Sequence, residues 1–178
     1  MKINGTDRSI CVSSVTIPSL EDAVIMMGMD NEMLKLENPC APGTTVEWWL
    51  TAKGDTGLRI MTVDENGTIN SHGLHPDESA EIRPVLRISS LGDSGLVPGN
   101  NFTVNGWPFL LVDYNFAVCR RSAGCSAFRN ELMADNKTDY EKSSLKKNLK
   151  AWAERYGIKA DEQPVKENGG PEFDDSCL

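Results

Sequence analysis

Hydrophobic positions along the chain predict one helix near each end of a domain. The first helix begins after Ser19, a good N-cap residue with Asp22 at the capping-box position. Its apolar stripe at helical spacing consists of Leu20, Ala23, Val24 and Met27. In the second helix, predicted over about 140–156, the apolar face consists of Leu145, Leu149, Trp152 and Tyr156. Gly157 is suited to end this helix in the left-handed conformation.

The chain between these helices alternates β-branched, aromatic and polar residues over short segments, which predicts antiparallel strands. The sequences at 64–67 and 105–106 are typical of hairpin turns, since Asn-Gly tolerates the positive φ angles of a type I′ turn. Pro84 predicts that its own strand lies at a sheet edge or carries a bulge. The predicted strands are 11–17, 46–51, 58–63, 68–71, 81–88, 101–104, 107–112 and 116–120.

Two adjacent tryptophans, Trp48 and Trp49, mark the strand predicted at 46–51. Neighbouring side chains of a strand point to opposite faces of the sheet, so the two rings cannot share one environment. One tryptophan is therefore expected in the core. The other is either covered by a helix or exposed at a ligand-binding surface.

Together these elements predict an α+β fold, with twisted antiparallel sheets of short strands flanked by one N-terminal and one C-terminal helix. A single domain is predicted over residues 1–157, with two halves at about 10–88 and 97–157. Residues 158–178 lack periodicity and carry six acidic residues against two basic ones, which predicts a flexible acidic tail.

The composition is that of an ordinary globular protein, because 39% of the residues are hydrophobic and 25% are charged. No apolar run approaches the roughly 20 residues of a membrane helix. The first residues also lack the apolar segment of a signal peptide. Five cysteines without a Cys-x-x-Cys pair predict free thiols in a reducing cytosol, and hence a cytoplasmic protein.

The net charge of −8 at pH 7 limits the classes of partner. It excludes a general electrostatic surface for nucleic acid, because phosphate contacts need clustered Lys and Arg side chains. The predicted C-terminal helix carries a small excess of basic residues, which we interpret as a solvated face. An acidic exterior suits a basic surface on a partner protein instead.

The two histidines of the chain, His72 and His75, lie three residues apart in a segment predicted to be a loop. With Asp77 or Glu78 nearby they could ligate a divalent metal. Two neutral ligands on a loop do not define a metal site, however. We therefore expect exposed histidines and no bound metal.

Two cysteines, Cys119 and Cys125, flank a pair of arginines whose charge favours a thiolate. Nucleophilic catalysis also requires a base within hydrogen-bond reach of the thiol. No sequence feature brings either histidine to these cysteines. The sequence therefore predicts no catalytic residue, and a cysteine-dependent enzyme stays an alternative.

Two groups of motifs carry a resemblance to a known family. The first group combines Trp48-Trp49-Leu50, Gly54, the hairpin at 64–67 and Arg83-Pro84-Val85-Leu86. The second group combines the segments 99–107 and 140–149. Together they resemble a bacterial and prophage domain of unknown function, whose hallmarks are a Trp-Trp-Leu-Arg-Ser-Pro-Gly strand and turn and an Arg-Pro-Ala-Leu strand.

The resemblance covers about residues 12–157, with the two halves in permuted order. It implies a fold similar to the C-type-lectin-like and formylglycine-generating-enzyme-like folds. This chain has Thr51-Ala52-Lys53-Gly54 where relatives have Arg-Ser-Pro-Gly. The paired active-site cysteines of a formylglycine generator are not recognisable, which argues against oxidase chemistry.

These observations favour a non-enzymatic protein-binding module of phage or mobile-element origin. One form of this hypothesis is an anti-CRISPR-like inhibitor of a host defence nuclease that acts through an acidic surface. Its partner would be a host or phage protein, including a nucleoprotein complex, with no general nucleic-acid binding, no membrane and no cofactor. The predicted partner-binding residues are Asp161, Glu162, Asp174 and Asp175.

A lectin-like ligand-binding or receptor-binding protein is the alternative from a different functional class. Its site would lie at the tryptophan strand, the turn after it and the neighbouring loops. The predicted ligand-binding residues are Trp48, Lys53, Asn66 and His72.

Overall fold

The computed structural model describes residues 1–7, 10–56, 58–129 and 139–161. The strands are β1 (Lys2–Ile3), β2 (Thr6–Asp7), β3 (Cys11–Thr16), β4 (Leu36–Glu37), β5 (Thr45–Val46), β6 (Trp48–Lys53), β7 (Ile60–Val63), β8 (Ile69–Leu74), β9 (Ser79–Glu81), β10 (Val85–Ser90), β11 (Asn101–Val104), β12 (Trp107–Asp113), β13 (Phe116–Cys119) and β14 (Cys125–Ala127). The α-helices are α1 (Leu20–Met29) and α2 (Ser144–Arg155). Short 3-10 helices cover Asn31–Leu34 and Tyr140–Lys142.

The strands form one large sheet and two smaller ones. The seven-stranded sheet has the order β2-β1-β11-β12-β13-β10-β3, and its neighbouring strands are antiparallel. The five-stranded sheet has the order β14-β9-β6-β7-β8, with a parallel pairing between β6 and β9. Strands β4 and β5 pair with each other.

The described chain is therefore mostly β, and the predicted α+β class is wrong. The two helices are only 10 and 12 residues long. Several strands, such as β1, β2, β9 and β14, have two or three residues, too few to show a period of two. They are strands only because they pair with segments distant in the chain or across a tight turn, and this pairing leaves no period in the local sequence.

The segment 81–88, predicted as one strand, belongs to two sheets. Its first residue ends β9 in the five-stranded sheet, and residues 85–88 lie in β10 of the seven-stranded sheet. Pro84 lies between the two strands, where its missing N–H interrupts no ladder. Of the two positions predicted for this strand, the sheet edge is wrong, because β10 lies between β13 and β3. The alternative, a bulge, agrees with the register shifts of β10 against β3 between residues 87 and 90.

Apolar side chains collect on both faces of the large sheet. We call the two clusters the α2-side core and the α1-side core, after the helix that covers each. The α2-side core includes Trp49, Ile60, Leu86, Phe109 and Leu149. The α1-side core includes Met26, Leu34, Trp48, Val85 and Val118. Adjacent residues of one strand thus enter different cores, as the strand period requires.

Both helix termini carry the predicted type of cap. The Ser19 side chain accepts a hydrogen bond from the Asp22 N–H at 3.1 Å, and the Asp22 carboxylate accepts one from the Ser19 N–H at 2.8 Å. This confirms the capping box. Helix α2 begins after Ser143 and is therefore shorter than the predicted range of about 140–156, whose first residues form a 3-10 turn capped by Asp139. Gly157 follows α2 with a φ of +65°, as predicted.

Both predicted hairpin turns are present, with different geometries. Asn105 and Gly106 have φ angles of +48° and +85°, as a type I′ turn requires. In the turn at 64–67, Gly67 has a φ of +78° and Asn66 does not have a positive φ. The type I′ prediction is therefore wrong for this turn, although the hairpin between β7 and β8 is confirmed.

An ion pair anchors α1 to the large sheet. Arg87 of β10 donates two hydrogen bonds to the Asp22 carboxylate, with 2.9 Å between Arg87 Nη1 and Asp22 Oδ1. Burial by itself raises the pKa of Asp22, but the hydrogen bonds from Arg87 and Ser19 hold that pKa below its ordinary value. The carboxylate therefore stabilises the fold in its charged form.

This ion pair predicts acid sensitivity. Because the pKa of Asp22 is lower in the folded chain, its contribution is complete above the unfolded pKa of about 3.9 and is lost as the pH falls through the folded value. We expect Asp22→Asn to lower the free energy of unfolding at pH 7 by about 2–3 kcal/mol. The loss should shrink below pH 4, as measured by urea denaturation across pH.

Glu21→Gln is the matched control, because it removes an exposed carboxylate from the same helical turn. We expect this control to change stability by only a few tenths of a kcal/mol. An equal effect of both substitutions, or an Asp22→Asn effect that does not vary with pH, would contradict the assignment.

The residues after α2 return to the edge of the large sheet. Ile158 is buried in the α2-side core. The Asp161 N–H donates to the Val12 carbonyl at 2.7 Å, and the Val12 N–H donates to Asp161 Oδ2 at 3.1 Å. Residues 158–161, predicted as the start of a flexible tail, therefore pack against the domain. The rest of the predicted tail lies outside the described residues.

Candidate functional site

Both rings of the tryptophan pair are buried. The Trp48 indole N–H donates to the Leu34 carbonyl at 2.8 Å, and α1 with the following 3-10 turn covers this side. The Trp49 indole N–H donates to the Ser126 carbonyl at 2.8 Å on the opposite side. The prediction that Trp48 contacts a ligand is therefore wrong, because its ring has no surface exposed to solvent.

The other predicted ligand-binding residues are exposed but lie apart. Asn66 lies in the turn that joins β7 to β8. Lys53 and His72 lie near the opposite end of the same sheet, where Lys53 pairs with Ile60. The structure therefore does not bring the predicted ligand site together.

The two histidines bond to neighbouring acidic residues rather than to each other. His72 lies in β8 rather than in a loop, and its Nδ1 is 3.0 Å from Asp55 Oδ1. The Nδ1 atom of His75 lies 3.4 Å from Asp77 Oδ2. Within the described ranges, no group of three or more His, Cys, Asp or Glu side chains is arranged to hold a metal ion.

The predicted acidic partner site is only partly within the described chain. Asp161 uses its carboxylate to accept a hydrogen bond from the backbone of β3, so this residue has a structural role. Glu162, Asp174 and Asp175 lie outside the described residues.

The cysteines differ in state and in reactivity. Cys11 is disulfide-bonded, which corrects the prediction of five free thiols, whereas Cys40, Cys119 and Cys125 are free. Burial raises the pKa of the Cys119 thiol to about 11, so this thiol is protonated at neutral pH. Burial and the Glu81 carboxylate also raise the pKa of Cys125. Neither thiol is thus poised as a nucleophile.

The exposed side of α1 presents an unusual apolar surface. Val24, Ile25, Met27 and Met29 are between 38% and 48% exposed, and we call these four residues the α1 surface. An amphipathic helix on a protein exterior normally turns polar residues to solvent. Clustered exposed apolar side chains mark contact sites for other molecules more often than isolated ones do.

The rotation of α1 about its axis explains why this surface is exposed. The buried residues of the helix are Asp22, Ala23 and Met26. Because Asp22 must face Arg87, the side of the helix that carries Ala23 and Met26 turns inward. Val24 and Met27, predicted to face the core, therefore point outward. The helix has apolar residues on all sides. This composition could have indicated that some of its apolar side chains are exposed.

The chain segment that contains the α1 surface is acidic. Residues 20–37 contain five acidic side chains and one basic one, Lys35. Lys35 pairs with Glu32 at 3.0 Å. Across the described chain, Glu21, Asp30 and Glu37 form no ion pair. The geometry is thus an apolar helix face with unneutralised carboxylates at its margins.

Neither helix in the described part of the chain has the length and apolar character that a membrane crossing requires. Comparisons with protein-family models, with curated proteins and with solved structures find no match to this chain. The resemblance to the prophage domain, and the lectin-like fold that it implies, therefore stay predictions. The function has to be argued from the chain's own geometry.

Proposed function

We propose that this chain is a non-enzymatic protein-binding module that docks a basic partner protein on the α1 surface. The observation that carries the proposal is the exposure of Val24, Ile25, Met27 and Met29 on one helix. Stable interfaces combine an apolar centre with a polar rim. Two methionines support adaptable contact, because their unbranched, polarisable side chains fit irregular partner surfaces.

The charge around the helix supports a basic partner over a second copy of this chain. Glu21 and Asp30 would meet Lys or Arg side chains favourably across an interface. In a symmetric pairing of two α1 surfaces, each acidic margin would face a like-charged margin, which disfavours self-association. The net charge of −8 also disfavours self-association, because it repels a second copy of the chain at longer range.

A nucleic-acid-binding protein of a host or phage is the form of partner that fits best, because its nucleic-acid groove is basic. A host defence nuclease belongs to this class. In this form of the proposal, the acidic chain occupies the groove and competes with nucleic acid. The module would thus act by occlusion and would need no catalytic residue.

Site-specific crosslinking tests the proposal in the full chain. A photo-crosslinking amino acid at Met27 should capture an identified basic protein, whereas the same group at Val97 should not. Val97 is a suitable control because it is an exposed apolar residue, 50% exposed, outside the helix. With the purified partner, Val24→Glu with Met27→Glu should weaken binding by about a hundredfold or more, and Val97→Glu should not.

Salt and nucleic acid provide the second readout. Binding should weaken as the ionic strength rises, because exposed charges are screened within about 10 Å at 0.1 M salt. Added nucleic acid should displace the chain if the partner is a nuclease. Unchanged binding by the helix variant, an acidic partner, or dimerisation through α1 would each refute the proposal. Circular dichroism would check that the variants are folded.

A further inference from the structure

A cleft of about 700 Å³ opens on the α1 side of the large sheet. One wall consists of the 3-10 turn Asn31–Leu34 and the segment 35–42. The other wall consists of β12 and the residues that follow β13. Four basic and two acidic side chains line the cleft, so it is positively charged within an acidic protein. This volume is within the usual range for small-molecule sites.

Arg83 forms the buried floor of this cleft. Its residue is 3% exposed, and its Nε and Nη1 atoms donate to the carbonyls of Cys119 and Met33 at 3.0 and 2.7 Å. Its guanidinium lies 4.9 Å from the centre of the Trp48 ring. In the described part of the chain, Arg83 has no carboxylate partner, and Nη2 donates no hydrogen bond.

A buried cation without an anion destabilises the fold, so the unpaired charge of Arg83 points to an anionic ligand. Burial lowers the pKa of Arg83 to about 10, and the group is therefore still charged at neutral pH. The two carbonyl oxygens and the indole ring hold the guanidinium in one orientation, with its free edge towards the cleft. An oxyanion at that edge would supply the missing charge.

Of the two arginines that follow β13, Arg120 extends the positive charge along the wall of the cleft. Arg120 and Arg121 follow β13 directly and are exposed. Arg120 Nη1 donates to Asn101 Oδ1 at 2.7 Å, and the Arg121 guanidinium lies 5.4 Å from the centre of the Trp107 ring. Neither arginine forms an ion pair with a carboxylate of the described residues. The Arg120 guanidinium is thus positioned but not neutralised. Arg121 also lines the cleft, but its guanidinium lies over Trp107, which packs against the α2-side core.

We propose that this cleft binds a phosphate monoester, with the phosphate on the guanidinium groups of Arg83 and Arg120. Guanidinium groups match the tetrahedral oxygens of phosphate with paired hydrogen bonds. The residues that line the cleft carry more positive than negative charge, which suits an anionic phosphate. Pro108, Leu110 and Met33 provide an apolar wall for the organic part of the ligand.

Isothermal titration calorimetry with the full chain tests this site, with phenyl phosphate as the probe. Phenyl phosphate should bind more tightly than inorganic phosphate, because the apolar wall contacts the ring. Its affinity should rise between pH 5.5 and 7.5, since the second ionisation of a phosphate monoester lies near pH 6. Succinate, a dicarboxylate, should bind at least about tenfold more weakly.

Exposed arginines allow variants that leave the core intact. Arg120→Gln should weaken phenyl phosphate binding by about tenfold or more. Arg155→Gln is the matched control, because it removes an exposed arginine outside the cleft, and it should leave the affinity within about twofold. Absence of binding at about 1 mM, equal effects of both variants, or equal binding of succinate would overturn the proposal.

Discussion

Replacement of Trp49 by alanine is expected to lower the free energy of unfolding by about 3–5 kcal/mol. The ring is fully buried in the α2-side core and contacts the Phe128 ring edge-on, with 5.6 Å between their centres. Its N–H donates to Ser126 in β14, a strand that pairs only with β9 among the described strands. The substitution thus removes both apolar contact and the side-chain anchor of an edge strand.

Trp49→Phe separates these two contributions. Phenylalanine keeps most of the apolar contact but leaves the Ser126 carbonyl without its donor, which costs about 1–3 kcal/mol. Chemical denaturation followed by circular dichroism measures both variants. A loss below about 1 kcal/mol for Trp49→Ala would contradict the assignment of Trp49 to the core.

Gly73→Ala is the second substitution expected to have a large effect, with a loss of at least about 3 kcal/mol. Gly73 lies in β8 with a φ of +73°, where an L-residue is strained. A Cβ atom would also lie 2.5 Å from the Ile60 carbonyl carbon and still closer to its oxygen. Because the obstacle is backbone of β7, the strand pairing itself would have to shift.

Gly106→Ala is the matched control, since it introduces the same strain without a collision. Gly106 has a φ of +85°, and no described atom lies within 4 Å of the position that an alanine Cβ would take. We expect a loss of about 1–2 kcal/mol from strain alone. Similar losses of stability for the two variants in thermal and urea denaturation would contradict the prediction, because the collision with the β7 backbone would then add no cost.

Elements that depend on local signals could be predicted from the sequence. The capping box at Ser19 and three of the four residues predicted for the apolar face of α2 were correct, because each depends on contacts within one helix. The fourth, Tyr156, follows the helix and is 37% exposed. The strand 101–104 agrees with β11 for a similar reason, since the adjacent Asn105-Gly106 turn defines its register with β12.

Elements that depend on partners far away in the chain could not be predicted. The division of 81–88 between two sheets requires β6 and β14 on one side and β3 and β13 on the other. Residue patterns report the apolar face of a segment but not the sheet that receives it. The fold class was wrong for the same reason, because many of the shortest strands exist only through pairing.

The candidate sites also combine features that the local sequence predicts with features that depend on residues distant in the chain. The tryptophan pair was correctly expected to face two directions, but the sequence did not show that α1 covers Trp48. The exposure of the α1 surface depends on the pairing of Asp22 with Arg87, which are 65 residues apart. The basic cleft joins Arg83 with Arg120 across the fold, and no local motif marks that combination.

The return of the chain to β3 has a consequence for the behaviour of the protein at high concentration. Strand β3 is an edge of the large sheet, and free edge strands recruit strands from other molecules. Asp161 occupies the N–H and the carbonyl of Val12 on that edge and places an acidic side chain there. Asp161 was predicted to bind a partner protein. In the structure it instead blocks part of the β3 edge and so protects the sheet against edge-to-edge aggregation.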